Sequence, residues 1–299
     1  MQRDFIGYAG DPPRVEWPGG ARLAVSLVVN YEEGAEPSVA DGDDESDPGA
    51  ETPILAGPQV RNTLNESTFE YGSRVGFWRL MDIFDRHDVK VTFFACGRAL
   101  ERNPRAAAEI TRRGHEPCSH GYRWVDYFRL SREAQRDDML RSIDAIERTT
   151  GRRPIGFYPR GATAECRELA VEEGGFIYDS ITYNEDLPYF VDVQGRRFLT
   201  LPYSLDNNDF RYWRSFLEPA QFTRYLTASF DRLYAESERT PKMMSVGLHL
   251  RTSGLPARAS AVDAFITHAR SRPDVWFARR EEIARLWWER FGGASQPGG

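Results

Sequence analysis

Short apolar runs alternate with segments of helical periodicity along nearly the whole chain. Arg22–Asn30 is rich in Val and Leu and has the length of a strand, whereas Leu130–Thr150 places its apolar residues on one helical face. Ser131 can cap the start of that helix, and Gly151 can end it. Strand–helix alternation predicts a parallel sheet, because each helix returns the chain to the same end of the sheet.

The same pattern predicts the bounds of the elements. Strands are expected at Arg22–Asn30, Val89–Cys96, His115–His120, Pro154–Tyr158, Phe176–Ser180, Arg197–Tyr203, Met243–Leu250 and Val275–Ala278. Helices are expected at Tyr71–His87, Arg98–Arg113, Leu130–Thr150, Thr163–Glu173, Glu218–Glu236, Ala257–Ser271 and Arg279–Arg290. About seven or eight such units in one chain favour an α/β barrel over an open sheet.

Interruptions of the strand–helix alternation predict the domain organisation. We expect an N-terminal extension over residues 1–20, one barrel domain over 21–290 and a disordered tail over 291–299. Residues 37–60 are acidic and rich in Pro and Gly, which predicts a long loop inserted after the first strand.

Composition narrows the class of protein. Of the 299 residues 40% are hydrophobic, enough for a large core, and the net charge of −6 argues against a protein that coats nucleic acid. The three cysteines, Cys96, Cys118 and Cys166, form no CxxC pair, so neither a disulfide framework nor a thiolate zinc site is expected. No signal-peptide pattern and no apolar run of roughly 20 residues is present. We therefore expect a cytoplasmic protein that binds neither nucleic acid nor a membrane.

Polar side chains with catalytic chemistry follow several of the predicted strands. In a (β/α) barrel the carboxyl ends of the strands meet at one mouth, so these side chains are expected to lie close together. Strand ends also tolerate charge simply because they meet solvent, and any one position taken alone has that explanation. The candidates are Glu32, Glu33, His120, Tyr158, Arg160, Asp179 and His249.

Glu32 and Glu33 form a carboxylate pair directly after the first strand. Adjacent residues on a strand point to opposite faces, so only one of the two enters the barrel axis unless Gly34 turns the chain. One is expected to act as a general base and the other as an orienting group or metal ligand. Crowded carboxylates raise each other's pKa, which suits acid–base chemistry near neutral pH. His120 and His249 are the histidines expected beside them.

Longer motifs connect these residues to a known family. The segments "VVNYEEGAE", "FEYGSRVGFWRL", "SHGYRWVDY", "LDNNDFRY" and "MMSVGLHLR" together resemble the polysaccharide deacetylase superfamily, over roughly Ala21–Trp287. Within that superfamily the chain is most similar to the cytosolic branch of PuuE-type allantoinases and cyclic imide hydrolases. The resemblance implies an α/β fold, a deformed (β/α) barrel of the NodB type in a single domain.

The resemblance assigns roles to individual residues. Glu32 and Glu33 fall on the Asp pair of the sugar deacetylases, in which the first Asp is the base and the second binds a divalent metal. His120 falls on the first histidine of their H-x-x-x-H metal motif, but Trp124 stands at the second. His249 falls on the late histidine that acts as the general acid. Catalytic zinc usually has three protein ligands, so no cofactor is expected; a zinc ion, if bound, would be held by Glu33 and His120.

The leading hypothesis is hydrolysis of a non-peptide C–N bond in a cyclic amide or ureide. Glu32 or Glu33 would activate water, and His249 would protonate the departing nitrogen. His120 and Arg160 would stabilise the oxyanion. The residues expected to bind this small-molecule substrate are Tyr31, Trp124, Tyr158, Arg160 and Asp179.

Two other functions are compatible with these residues. A metal-dependent deacetylase of N-acetyl sugars would carry an ion at Glu33 and His120. A non-catalytic sugar-binding homologue would use neither the carboxylates nor the histidines as catalysts. The aromatic run "ARLWWERF" near the C-terminus is expected to cover either an interface of a homo-oligomer or the base of the barrel.

Overall fold

Strands and helices alternate along the chain in the structure, a computed structural model that describes residues 3–47, 56–212 and 218–293. The strands are β1 Leu23–Tyr31, β2 Thr92–Ala95, β3 Glu116–Ser119, β4 Gly156–Phe157, β5 Tyr178–Asp179, β6 Tyr189–Val193, β7 Arg196–Thr200, β8 Lys242–His249 and β9 Val275–Phe277. The α-helices are α1 Thr63–Tyr71, α2 Phe77–Arg86, α3 Gly97–Arg102, α4 Pro104–Arg112, α5 Arg132–Thr150, α6 Ala164–Glu173, α7 Asp209–Tyr212, α8 Pro219–Glu236, α9 Leu250–Ser253, α10 Pro256–Arg270 and α11 Arg280–Phe291.

β1 pairs with three other strands, β2, β8 and β9, in a curled sheet. The strand order is β6–β7–β5–β4–β3–β2–β1–β8, with β9 paired to the first residues of β1, and the β6–β7 pair is antiparallel. Alternate residues of β1 pack outward against helices, as Val25 and Val29 do, or inward with Ala24 and Val28. Burial on both faces explains why β1 is mostly apolar in the sequence, with Ser26 and Asn30 as its buried polar residues.

The two edges of the sheet approach each other without a strand ladder among the described residues. One backbone bridge joins Asn208 to Gly247 of β8. Arg280 fills the interior beside it, where its guanidinium donates to Ser245 Oγ at 2.9 Å and to the carbonyl of Pro202 at 3.0 Å. A buried arginine therefore helps to close the barrel, and the closure is deformed at this seam.

Aromatic residues from both ends of the chain close the base of the barrel. Trp17 is buried, and its Nε1 donates to the carbonyl of Lys242, at the start of β8, at 3.1 Å. The ring centroids of Trp17 and Trp287 lie 6.2 Å apart. Trp288 Nε1 donates to the carbonyl of Ile177 at 2.8 Å. The C-terminal aromatic run therefore covers the base, which is one of its two predicted roles.

Two predicted helices differ from the structure. The helix predicted at Tyr71–His87 begins earlier, as α1, and passes through a π-helical turn, Gly72–Gly76, before it continues as α2. The helix predicted at Arg98–Arg113 is divided into α3 and α4, because Pro104 has no N–H for a continuous helix and Asn103 caps the next turn. β6 was not predicted, since its side chains are mostly half-buried at the sheet edge.

The inserted loop 37–60 is described as far as residue 47 and again from residue 56. Of the tail 291–299 that was predicted to be disordered, Phe291 is the last residue of α11, and residues 294–299 lie outside the described ranges. The described part of the loop is tied to the mouth of the barrel by ion pairs. Asp43 Oδ2 lies 2.6 Å from Arg123 Nη2, in the chain that follows β3. No helix in the described ranges is long and apolar enough to cross a membrane.

Candidate functional site

The register of the sheet decides which strand-end side chains meet. One row of neighbouring residues consists of Tyr31, Ala95, Ser119, Phe157 and Asp179. Side chains in one row point to the same face, and the next residue along each strand points to the other. Tyr31 and Asp179 thus face the outer helices. Glu32, His120 and Tyr158 come one position later and face the interior of the mouth.

Glu32 lies at the centre of the inward-facing group. Its Oε1 is 3.3 Å from His120 Nε2 and 3.5 Å from His249 Nε2, and its Oε2 accepts a 2.7 Å hydrogen bond from Arg251 Nη1. The Glu32 side chain is 2% exposed, so water screens these charges weakly. Burial alone would raise the pKa of Glu32, but the charges of Arg251 and His249 outweigh it and hold the pKa well below its usual value. Glu32 is therefore an ionised carboxylate between two imidazoles.

Glu33 points to the opposite face, as the alternation along a strand requires. Its Oε1 accepts a 3.3 Å hydrogen bond from the backbone N–H of Arg251, and its Oε2 accepts one of 3.0 Å from the N–H of Glu32. Burial raises the pKa of Glu33, Arg251 lowers it and the Glu32 charge raises it, with a resulting value of about 7. The side chain is fully buried. Glu33 is therefore an orienting group beneath the mouth.

His249 is held by a second carboxylate. Its Nδ1 lies 2.7 Å from Asp209 Oδ1, and its backbone N–H donates to Asp209 Oδ2 at 2.8 Å. Ser253 Oγ donates to the same Oδ2 at 2.6 Å, which fixes the carboxylate. Burial lowers the pKa of His249, but the charges of Glu32 and Asp209 outweigh it and raise the pKa to about 10. His249 is therefore protonated at neutral pH, with Nε2 directed at Glu32.

His120 is fixed against an aromatic wall. Its Nδ1 donates to the carbonyl of Tyr158, because a carbonyl oxygen only accepts, and this turns Nε2 toward Glu32. The His120 and Tyr158 rings are stacked, with centroids 5.2 Å apart and planes at 6°. Tyr203 packs edge-on against Tyr158 at 5.2 Å. Tyr183, 45% exposed, bonds its hydroxyl to that of Tyr158 at 2.6 Å and marks the rim of the mouth.

Arg160 is engaged by carboxylates. Its Nη1 donates to Asp47 Oδ2 at 3.0 Å, and its Nε lies 2.8 Å from Asp126 Oδ1. The guanidinium carbon is 3.9 Å from the centroid of Trp124, a ring that also lies 5.1 Å from the guanidinium carbon of Arg251. Arg160 thus ties the inserted loop to the mouth, and the structure shows no contact between Arg160 and Glu32 or the two histidines.

Tyr31 and Asp179 are not brought into this group. The Tyr31 hydroxyl is bonded to Ser73 Oγ at 2.7 Å beneath the outer helices. Asp179 forms a buried ion pair with Arg167, with oxygen–nitrogen distances of 2.5 and 3.1 Å. Their predicted role in substrate binding therefore has no contact in the structure to support it. The physical reason is their place in the outward-facing row.

Asp209 and Arg251 complete the site, although sequence reasoning did not select them. Asp209 begins α7, and Arg251 lies in the short helix α9 that follows His249. Both stand inside quoted motifs, "LDNNDFRY" and "MMSVGLHLR", and that was the available signal. Neither ends a predicted strand, and Arg251 meets Glu32 across 219 positions of sequence. Such pairing depends on the fold and not on local pattern.

The residues at the mouth do not fit a divalent metal. The Nδ1 of His120 donates to a carbonyl and would leave Nε2 free for an ion. Both oxygens of Glu33 accept from N–H groups, however, and Glu32 is paired with Arg251. Trp124 offers no lone pair for coordination. Within the part of the chain that the structure describes, no three His, Cys, Asp or Glu side chains are grouped to hold an ion. The cation that is present beside the carboxylates is Arg251.

A barrel mouth with an ionised carboxylate beside two imidazoles holds the groups that acid–base hydrolysis requires. The polysaccharide deacetylase family matches residues 61–174. A protein of Schizosaccharomyces pombe that is named as a polysaccharide deacetylase is 36% identical over 95% of this chain and 96% of its own. The chain belongs to the polysaccharide deacetylase family.

Two solved structures share nearly the whole fold. A protein of Pseudomonas aeruginosa that is named as a polysaccharide deacetylase is 45% identical, with a TM-score of 0.93 over 97% of this chain and 99% of that chain. PuuE allantoinase is 43% identical, with a TM-score of 0.93 over 97% and 98%. The predicted deformed barrel in a single domain is confirmed. The protein is a hydrolase of carbon–nitrogen bonds other than peptide bonds.

Proposed function

We propose that the protein opens a cyclic amide or ureide by hydrolysis of a C–N bond in the ring. The observation that carries the proposal is the position of Glu32 Oε1, 3.3 Å from His120 Nε2 and 3.5 Å from His249 Nε2. An ionised base and a protonated acid then face the same small space. The likeness to PuuE allantoinase over nearly the whole chain supports the same class of substrate.

Glu32 is assigned as the general base. It takes a proton from a water molecule, whose oxygen attacks the ring carbonyl carbon and forms a tetrahedral intermediate. His120 is assigned to the negative charge that develops on the carbonyl oxygen, a role that requires a proton on Nε2 as well as on the Nδ1 that donates to the Tyr158 carbonyl; the ring itself is already fixed by Tyr158. Arg160, predicted to share this role, is held by Asp47 and Asp126, and we assign it to the loop instead.

His249 is assigned as the general acid. Its proton passes to the ring nitrogen as the C–N bond breaks, which leaves a carboxyl group and a free nitrogen on the opened product. Glu32 holds the proton taken from water, and the 3.5 Å contact between Glu32 Oε1 and His249 Nε2 provides a direct path for its return. Both groups regain their starting states, so one turnover consumes one water and no cofactor.

Removal of an acetyl group from an N-acetyl sugar is the second candidate, favoured by the names of two relatives. It breaks the same class of bond with the same base and acid. In the sugar deacetylases that the sequence resembles, a metal joins this chemistry. The poor fit of these residues to a metal favours the cyclic substrate, which we propose is opened without one.

An activity screen tests the proposal. Purified protein is treated with a chelator or loaded with zinc, then assayed against allantoin, hydantoins, cyclic imides and chitooligosaccharides. We expect ring opening that survives chelation and that falls by about 10²–10⁴-fold in Glu32→Gln. Glu172→Gln is the matched control, because Glu172 is 42% exposed on α6, paired with Arg132. Acetate release that requires zinc, without ring opening, would contradict the proposal.

A further inference from the structure

Arg251 places a permanent positive charge between two buried carboxylates. Its Nη1 lies 2.7 Å from Glu32 Oε2 and 3.4 Å from Glu33 Oε1, and the arginine side chain is 1% exposed. Two carboxylates with the imidazole of His120 are the kind of donors that a zinc ion prefers. Two carboxylates are costly to bury without a counter-charge, and here the guanidinium of Arg251 supplies that charge.

The guanidinium lies in a slot built to hold it. Its central carbon is 4.4 Å from the centroid of Phe69 and 5.1 Å from that of Trp124, so aromatic rings flank the cation. The π-helical turn packs on the same point: a methyl group added at Gly72 would lie 2.7 Å from Glu33 Oε1 and 2.9 Å from the backbone nitrogen of Arg251. Rings, turn and carboxylates therefore confine Arg251 to one position.

Trp124 contributes to this slot where a metal ligand would otherwise stand. Its indole is buried, and it packs on Phe69 with centroids 6.1 Å apart as well as on Arg251. An indole can face a guanidinium but cannot coordinate an ion. Trp124 thus offers no metal-coordinating atom at this position, and the face of its indole favours contact with the guanidinium.

We propose that Arg251 is the resident cation of the mouth: its guanidinium supplies the positive charge beside Glu32 and Glu33, and it thereby excludes a divalent metal from these carboxylates. The inference deepens the proposed function, on which it rests for the identity of the catalytic pair. Its metal-binding consequence does not depend on catalysis and is tested separately.

Zinc binding, measured by titration calorimetry on the full chain, is the direct test. Four proteins are compared with the unaltered one: Arg251→Gln, Arg251→Lys, Trp124→His, and Trp124→His combined with Arg251→Gln. Loss of the guanidinium is expected to raise zinc affinity at least about tenfold, most in the double variant, which has a third donor. Arg251→Lys keeps a charge and is expected to bind zinc as weakly as the unaltered protein.

Arg167→Gln is the matched control for loss of a buried arginine. Arg167 is 2% exposed and paired with Asp179, and this pair lies on the outer face of the sheet, away from the two histidines of the mouth, so no zinc binding is expected to appear. Circular dichroism and thermal unfolding show whether each variant is folded. Trp124→His keeps Arg251 in place, and it therefore tests the inference even if the Arg251 variants do not fold.

Three outcomes of the zinc titrations decide whether Arg251 excludes metal. Zinc affinity that rises only when Arg251 is removed supports the inference. Stoichiometric zinc binding by the unaltered protein or by Trp124→His overturns it, since the guanidinium would then exclude nothing. Equal affinities with and without Arg251 overturn it as well. If no cyclic amide is opened by the unaltered protein, the proposed function fails, whereas the zinc comparison still stands on its own.

Discussion

Replacement of Asp209 by Asn isolates the charge that prepares His249 as an acid. Asp209 Oδ1 lies 2.7 Å from His249 Nδ1, and Asn offers a carbonyl oxygen of the same size at that point. The substitution removes the negative charge and puts an NH₂ group where Oδ2 accepted from the His249 N–H and Ser253 Oγ. We expect a folded protein that is less stable by about 1–3 kcal/mol, the cost of unsatisfied buried bonds.

The magnitude of the effect on acidity follows from the distances. A unit charge about 4 Å from an imidazolium contributes about 4 kcal/mol at an effective dielectric constant near 20, or about 3 pKa units at about 1.36 kcal/mol each. Glu32, at 3.5 Å from His249 Nε2, supplies the other favourable charge and remains in the variant. The pKa of His249, about 10 in the protein, is therefore expected to fall by about 2–3 units.

The assay is the pH profile of kcat for ring opening between pH 5 and 11. The unaltered protein should lose activity as pH rises through about 10, where the acid loses its proton. In Asp209→Asn this alkaline limb should move to about pH 7–8, with a much smaller change at pH 6. Ser253→Ala removes one bond to the carboxylate but keeps its charge, so its limb should stay near that of the unaltered protein. An unmoved limb in Asp209→Asn would refute the assignment of His249 as an acid poised by Asp209.

Three further predictions concern the pH dependence of stability, the π-helical turn and the inserted loop. The folded pKa of His249 lies above the ordinary 6.5, so its contribution to stability is full below pH 6.5 and is lost as pH rises to about 10; urea unfolding at pH 6 and 9.5 should show a smaller loss in Asp209→Asn. Gly72→Ala should cost about 1–3 kcal/mol and lower kcat, because its methyl group meets Glu33 and Arg251, whereas Gly57→Ala, with open space around it, should change neither. Asp43→Asn breaks the 2.6 Å pair with Arg123 that ties the loop to the mouth, so we expect KM to rise more than kcat falls; equal changes in both would count against a role in substrate access.

The apolar pattern predicted most of the fold because periodicity is a local property. β1 and α5 were found with nearly their observed bounds, since one is buried on both faces and the other carries one apolar face, a Ser cap and a final Gly. The apolar pattern did not predict the break between α3 and α4, although Pro104, the first residue of α4, indicates it. The antiparallel strand β6 was missed because its side chains contribute little to the core.

For the site, the sequence by itself determined which strands deliver acid–base chemistry to the mouth. Glu32, His120 and His249 follow or end predicted strands, and in a closed parallel sheet the carboxyl ends of the strands meet at one mouth. It also predicted that Glu32 and Glu33 separate to opposite faces unless Gly34 turns the chain, because the strand period is two. Only the tertiary structure decided which carboxylate faces the histidines, since that depends on register with neighbouring strands.

The partners of the charged groups were likewise decided by the tertiary structure. Arg251 and Asp209 come from short helices after β8 and before α8, and their distances to Glu32 and His249 exist only once the barrel has closed. By position alone, Arg160 and Asp179 could bind a substrate. In the folded chain Arg160 is paired with Asp47, and Asp179 is paired with Arg167. A buried charge must find a counter-charge wherever the fold provides one, and that requirement carries no local sequence pattern.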